Sequence, residues 1–227
     1  IDWRDAFKDA AIFHWSGIDA ALTPGLADVC KEAIDIAKEM GLIVSYDINY
    51  RKNLWNYGKS AQEVLRPLMT SSDIMFGSEG EYALLMGLKA PGFKAKHNGE
   101  AYDVAAYEAF CKEISKQVPD CKYIYIALRN VISSAHHTFA GVLYSHGTMK
   151  YTRVFDIDEV IDCVGVGDAF CGAMLYAQHA FEDEQKRVDF STAASVLKNT
   201  IAGDYNMVKV AEVEGLLAKQ ESGEVAR

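Results

Sequence analysis

The chain has 227 residues, half of them hydrophobic, and a net charge of −9 with no basic run. That supplies apolar material for one full core, so the reading is a single domain over residues 1–227. The acidic balance argues against nucleic acid and anionic membranes as partners, and neither a bilayer-spanning apolar run nor a signal-peptide pattern is present, so the expectation is a soluble cytoplasmic protein. An acidic chain that takes an anionic substrate must do so at a local site, such as a helix N-terminus or one placed Arg. The five cysteines (Cys30, Cys111, Cys121, Cys163, Cys171) are odd in number and lack paired metal-type spacing, which reads as reduced thiols.

Residues 11–18 form a short apolar run that ends at Ser16 and Gly17, a buried strand leading into a loop. Thr23 and Pro24 start a helix whose apolar stripe is Leu26, Val29, Ala33, Ile34, Ala37 and Met40, and Gly41 stops it. Residues 42–48 are the next buried strand, ending in Asp47, Asn49 and Arg51, polar residues at a strand end where open α/β sheets place ligands. Helices are expected at 61–69, at 79–86 with Gly87 as the stop, and at 104–118, with a short strand at 73–76 and a surface loop over 89–101. A strand at 123–128 and a polar loop follow, then a hairpin of 139–144 and 149–155 turning at 145–148. Two helices, 190–201 and 210–219, and a polar tail at 220–227 without fixed structure close the chain. Repeated βα units imply an α/β fold with a mainly parallel sheet, helices on both faces and right-handed crossovers.

Between the hairpin and those helices lies the stretch Asp162, Cys163, Val164, Gly165, Val166, Gly167, Asp168, Ala169, Phe170. Phe170, Ala173, Met174, Ala177 and Phe181 then recur at helical spacing, so the glycine turn opens a helix. Unpaired N–H groups and the macrodipole make such a helix start an anion site. Asp168 would repel a phosphate unless it serves as the base that takes a proton from an attacking hydroxyl. The plain alternative is that Asp168 is a helix N-cap and the glycines a tight turn.

The whole string resembles the signature of the ribokinase-like (PfkB) carbohydrate kinases, with Val164 where Thr or Asn is usual and Val166 where Ala or Gly is usual. Phe13 to Ile18, Asp47 to Arg51 with Leu54 and Trp55, and Lys198, Thr200, Gly203, Asp204 and Asn206 are similar to the 2-keto-3-deoxygluconate kinase branch. The resemblance implies a ribokinase-like three-layer sandwich and ATP-dependent phosphorylation of 2-dehydro-3-deoxy-D-gluconate on its terminal hydroxyl, with ATP and Mg2+ as cofactors. It implies Asp168 as base, the N–H groups of Gly165, Val166, Gly167 and Asp168 as anion hole, Asn49 near the phosphates, Arg51 on the substrate carboxylate and Asp204 on a substrate hydroxyl. ATP contacts would fall at Leu128, Arg129 and Thr192, with Arg129 where the family commonly has Gly. The family's Asn-x-x-Glu pattern, linked to magnesium, maps onto Ser78 and Glu81. Relatives run about a hundred residues longer at the N-terminus, where the first strands and a β-lid lie, so the expectation is that those elements are missing here, that the chain alone is weakly active or inactive, and that a homo-oligomer belongs to the full-length protein.

Other readings are a fructokinase-like enzyme of the same family, a dinucleotide-binding oxidoreductase, and a sugar- or nucleotide-binding module without turnover. The oxidoreductase requires its glycine turn after the first strand, whereas here the turn comes late. Arg51 could instead close a surface salt bridge. His136 and His137, adjacent on a strand, would face opposite ways and make a poor metal pair. Trp3, Trp15 and Trp55 read as core or pocket wall, and the charged run 182–186 as a solvated loop or helix end.

Overall fold

Side-chain caps decide where most helices begin. The computed structural model describes residues 1–221, and side chains as far as Lys219. Helix α1 spans Trp3–Phe7, strand β1 Ile12–Ser16, α2 Gly17–Leu22, α3 Pro24–Glu39 and β2 Ile43–Asp47. A single 3₁₀ turn at Lys52–Leu54 leads to α4 Ala61–Met69, β3 Ile74–Ser78, α5 Glu79–Met86 and α6 Val104–Gln117. Then come β4 Tyr123–Ser133, β5 His136–Ser145, β6 Thr148–Tyr151 and β7 Phe155–Ile157, followed by α7 Val166–Ala180, α8 Glu184–Lys198 and α9 Val210–Glu221.

The Thr23 hydroxyl accepts the Leu26 N–H at 3.2 Å, and Pro24 occupies the first turn of α3, where its missing N–H costs nothing. Ser60 with Glu63, and Ser78 with Glu81, close reciprocal capping boxes on α4 and α5. Gly87 ends α5 in the left-handed conformation, at φ 65°.

Hydrogen bonding orders the strands β1-β2-β3-β4-β5-β6, with β7 on β5, in a seven-stranded mixed sheet. β1–β2 and β2–β3 are parallel, and β5–β7 is antiparallel with Phe139 opposite Phe155. The chain divides into two compact units: one comprises 1–91, 104–126 and 144–148, the other 92–103, 127–143 and 149 onward. The first holds the parallel strands, and its core includes the fully buried rings of Tyr46, Tyr82, Tyr107 and Tyr125. In the second, α7 packs on α8, and Thr192 of α8 lies so close to Gly141 of β5 that a Cβ there would sit 2.1 Å from its hydroxyl. Among the described residues no helix is long and apolar enough to cross a membrane, and all five cysteines are free.

Several expectations change. A short helix, α2, replaces the loop after β1: Ser16 caps it in a box with Asp19, and Gly17 lets it start where a Cβ would meet the Ile48 carbonyl oxygen at 2.2 Å. The polar loop after residue 128 is instead the continuation of β4 and the start of β5, joined by a two-residue turn at Ser134 and Ala135. That segment is largely exposed, so no buried pattern marks it, and cross-strand pairing makes it strand. The hairpin between β5 and β6 is present, its turn carrying positive φ at both His146 and Gly147. Helix α8 begins six residues before the expected start, because Asp183 accepts the Gln185 and Lys186 N–H groups and turns the charged run into a first helical turn. Gln220 and Glu221 belong to α9, not to a tail, and 222–227 lie outside the described residues.

Asp73 ties the first unit together. Its nearly buried carboxylate accepts the Val44 N–H at 3.0 Å and pairs with Lys38 at 3.0 Å and Lys122 at 3.4 Å, while its carbonyl accepts the Lys122 and Tyr123 N–H groups. Burial pushes the carboxyl up, but the Val44 N–H and the two lysines outweigh it and hold it below the usual carboxylate range. The folded state therefore binds fewer protons than the unfolded one, and this stability is present above the unfolded value and lost as pH falls through the folded one. Asp73→Asn is expected to cost about 1–2 kcal/mol at neutral pH, the lysines being partly in water. In urea unfolding, the gap between variant and parent narrows below about pH 4.

Candidate active site

The turn before α7 is built by two devices. Gly165 is the N-cap at φ 75°, and its Cα lies so close to the loop after α8 that a Cβ would stand 2.1 Å from the Asp204 carbonyl oxygen. Asp162 accepts the Val164 N–H with one oxygen and the Gly203 N–H with the other, each at 2.9 Å. The carboxylate thus stitches turn to loop, and those two N–H groups hold its carboxyl below the usual range. The Asn199 carbonyl takes the N–H groups of Ile161 and Asp162, and the Ser195 hydroxyl donates to the Val166 carbonyl at 2.8 Å.

No side chain caps α7. Asp168 is therefore not the N-cap: it stands three residues inside, exposed, with Gly165 in the cap position. The α7 first-turn N–H groups and the macrodipole are left facing whatever enters. Gly165, Asp168 and Asp204 line one cleft of about 440 Å³, whose walls include the small residues Ala169 and Ala173 and the aromatic pair Tyr176 and Phe190. The two rings stand 5.3 Å apart at 34°. The structure thus brings together base candidate, glycine turn and Asp204. It also shows what sequence reading missed: the apolar cleft, whose residues are separated by helical turns and a loop and carry no motif.

Asn49, Arg51 and Glu81 belong to the other unit and form a cluster of their own at the ends of β2 and β3. Asn49 has φ 41°, tolerated best by Asn among residues with a side chain, and its N–H donates to Asp47 at 3.1 Å. The Glu81 carboxylate accepts the Tyr50 N–H at 2.7 Å with one oxygen and the Ser78 N–H and hydroxyl with the other. Ser78 is thus a working helix cap, and Glu81 is a brace between two strand ends. Arg51 is exposed and donates to the Tyr50 carbonyl at 3.2 Å; among the described residues no ion pair of Arg51 is seen, in place of the surface salt bridge weighed above.

Leu128 and Arg129 lie inside β4, so the segment that follows the expected strand is itself strand, with Leu128 buried and Arg129 exposed. Thr192 is fully buried, its hydroxyl donating to the Val188 carbonyl at 2.7 Å under Gly141, which leaves nothing for a nucleotide to meet. His136 bonds Asp156 at 2.6 Å on one side of β5 while His137 is buried on the other, and among the described residues no cluster of three or more acidic, His or Cys groups could hold a metal. Trp15 is core, stacked on Tyr46 at 4.1 Å.

Residues 2–209 match the family described as pfkB family carbohydrate kinase. The chain belongs to the pfkB family. Among its relatives, the 2-dehydro-3-deoxygalactonokinase of Haloferax volcanii is 29% identical over 220 residues, covering 96% of this chain and 61% of that protein. Fructokinase-2 of Solanum lycopersicum is 27% identical over 210 residues, covering 88% and 55%. The crystal structure of 2-dehydro-3-deoxygluconokinase from Thermotoga maritima superposes with a TM-score of 0.86 at 31% identity, covering 96% of this chain and 63% of that one. The mainly parallel sheet with its helices is thus the ribokinase-like fold expected of a pfkB protein, and the chain spans about three fifths of the length of these relatives. Within the pfkB chain, the turn's geometry sets a contrast between its two glycines. Gly165→Ala is expected to destabilise by about 1–3 kcal/mol, through positive φ and the Asp204 contact. Gly167→Ala, whose Cβ would meet nothing within 4 Å, leaves thermal unfolding near that of the parent.

Proposed function

We propose that this pfkB chain is one kinase domain that carries the phosphoryl-transfer machinery of an ATP-dependent kinase for a six-carbon 2-keto-3-deoxy sugar acid. The observation that carries the reading is an uncapped helix start, with Gly165 in the left-handed conformation and Asp168 in the first turn, opening on an apolar cleft. The cleft suits a flat nucleotide base, with Tyr176 and Phe190 in its wall. The N–H groups of Val166, Gly167 and Asp168 suit a phosphoryl group, and the open turn lets its oxygens approach the backbone. Asp168 takes the proton from the attacking hydroxyl, and Asp204, lining the same cleft, orients a substrate hydroxyl. Arg51 offers a planar fork of donors that matches a carboxylate, and Asn49 contacts phosphate from its turn beyond β2.

Bound magnesium would neutralise phosphate charge, and it characteristically keeps several waters and few protein ligands. Glu81, already bonded to Tyr50 and Ser78, serves as a positioning residue rather than a ligand. The names of the relatives point to two epimeric acids, the gluconate and galactonate forms, and to fructose as the uncharged alternative. The test is phosphate transfer from ATP by the full-length gene product to each of the three. Asp168→Asn is expected to lower kcat by about 10²–10⁴-fold for every acceptor. Arg51→Ala raises KM for the acids and leaves fructose unaffected. If fructose is preferred, Arg51 loses its assigned role while Asp168 keeps its own; if no sugar is phosphorylated, the chain is a binding module.

A further inference from the structure

Lys198 is the last residue of α8, and it is completely buried. A buried ammonium is costly unless its charge is held, and the apolar interior around α8 would accept Leu or Met more readily. The charge is held in three ways. Nζ donates to the Ile201 carbonyl at 3.0 Å, while the Lys198 carbonyl accepts the Ile201 N–H at 3.1 Å, so one residue grips the post-helix turn from both ends. The ammonium sits in the last turn of α8, where the carbonyl ends and the macrodipole favour a cation. It also acts on the Asp162 carboxylate, helping to keep it ionised.

The turn that Lys198 closes is the one that delivers the Asn199 carbonyl to Ile161 and Asp162, and the Gly203 N–H to the second oxygen of Asp162. The first oxygen of Asp162 holds the Val164 N–H, one residue before the Gly165 cap. A continuous series of bonds therefore runs from the buried cation through Asp162 to the backbone that opens α7. We infer that Lys198 is a positioning residue for phosphoryl transfer: a built-in cation that holds the loop after α8 and the Asp162 stitch in place, and so sets the anion hole at Gly165, Val166, Gly167 and Asp168. This rests on the kinase reading above. Lys198 touches no reacting atom; it acts through Asp162 and the turn, in an acidic chain whose site needs a local positive charge.

The test uses the full-length gene product carrying Lys198→Met, which keeps the apolar stem and removes the ammonium. The expected result is a fall in kcat of about ten- to a hundredfold with the KM for the sugar little changed. Added ammonium chloride restores part of kcat, whereas sodium chloride at equal ionic strength does not, and amide hydrogen exchange at Val164 and Gly203 is faster than in the parent. Unchanged kcat and exchange, or a loss of kcat that ammonium does not restore while exchange stays at the parent's rate, overturns the assignment. Should the parent phosphorylate no sugar, the kinase reading falls by itself. The exchange measurement then decides this proposal alone, unchanged rates at Val164 and Gly203 overturning it. Should Lys198→Met not fold, Asp162→Asn at the half-buried end of the same series replaces it. It is expected to open the same two amides and lower kcat to a similar degree, and parent-like exchange and kcat in that variant overturn the proposal.

Discussion

The close approach of Gly165 to the Asp204 carbonyl is the constraint on which the second unit's site depends. It requires a residue without Cβ, in a left-handed conformation, at the point where α7 begins. Because the cap residue has no side chain, the first-turn N–H groups of α7 are not taken up by a cap, as they are at α3, α4 and α5. The same glycine that permits the packing thus leaves the helix start without a side-chain cap. Asp162 completes the arrangement by spending both carboxylate oxygens on backbone N–H groups, one on each side of the contact.

The first unit uses carboxylates in the same structural way. Asp73 joins α3, β2 and the start of β4 at one end of the parallel strands, and Glu81 joins the residues beyond β2 to the first turn of α5 at the other. In both, a charged acceptor collects backbone N–H groups that strand ends leave without partners. Ser78 shows how little side chain such a junction needs: a hydroxyl at the cap position and Glu81 three residues on are sufficient. What the cluster then presents is Asn49, held in a sparsely populated backbone conformation, and Arg51 just after it.

Chemistry legible in the residues falls into two kinds. Asp168 stood out because a carboxylate in that turn would repel a phosphate unless it serves as a base, and the structure replaces the N-cap reading by placing Gly165 at the cap and Asp168 in the first turn. Thr192, Leu128 and Arg129 were legible only as positions; burial seals Thr192 and Leu128, and Arg129 is an exposed residue of β4. Lys198 enters the sequence reading only through the resemblance, inside a helix expected to run to residue 201. Its burial, and the turn it closes, come from α8 packing on α7, which no local pattern reports.

The sequence by itself determined the α/β alternation, the bounds of α4 and α5, the glycine turn that opens α7 and, through its resemblance, the family. These follow from short-range physics: apolar periodicity, caps within four residues, and a backbone conformation that glycine adopts at no cost. Only the tertiary structure decided that β4 and β5 run through the polar stretch around Arg129, that Asp162 clamps Gly203, that Thr192 is sealed beneath Gly141, and that a cleft lies beside Asp168. Each depends on residues far apart in the chain, whose meeting is set by how helices and strands pack and not by what flanks them.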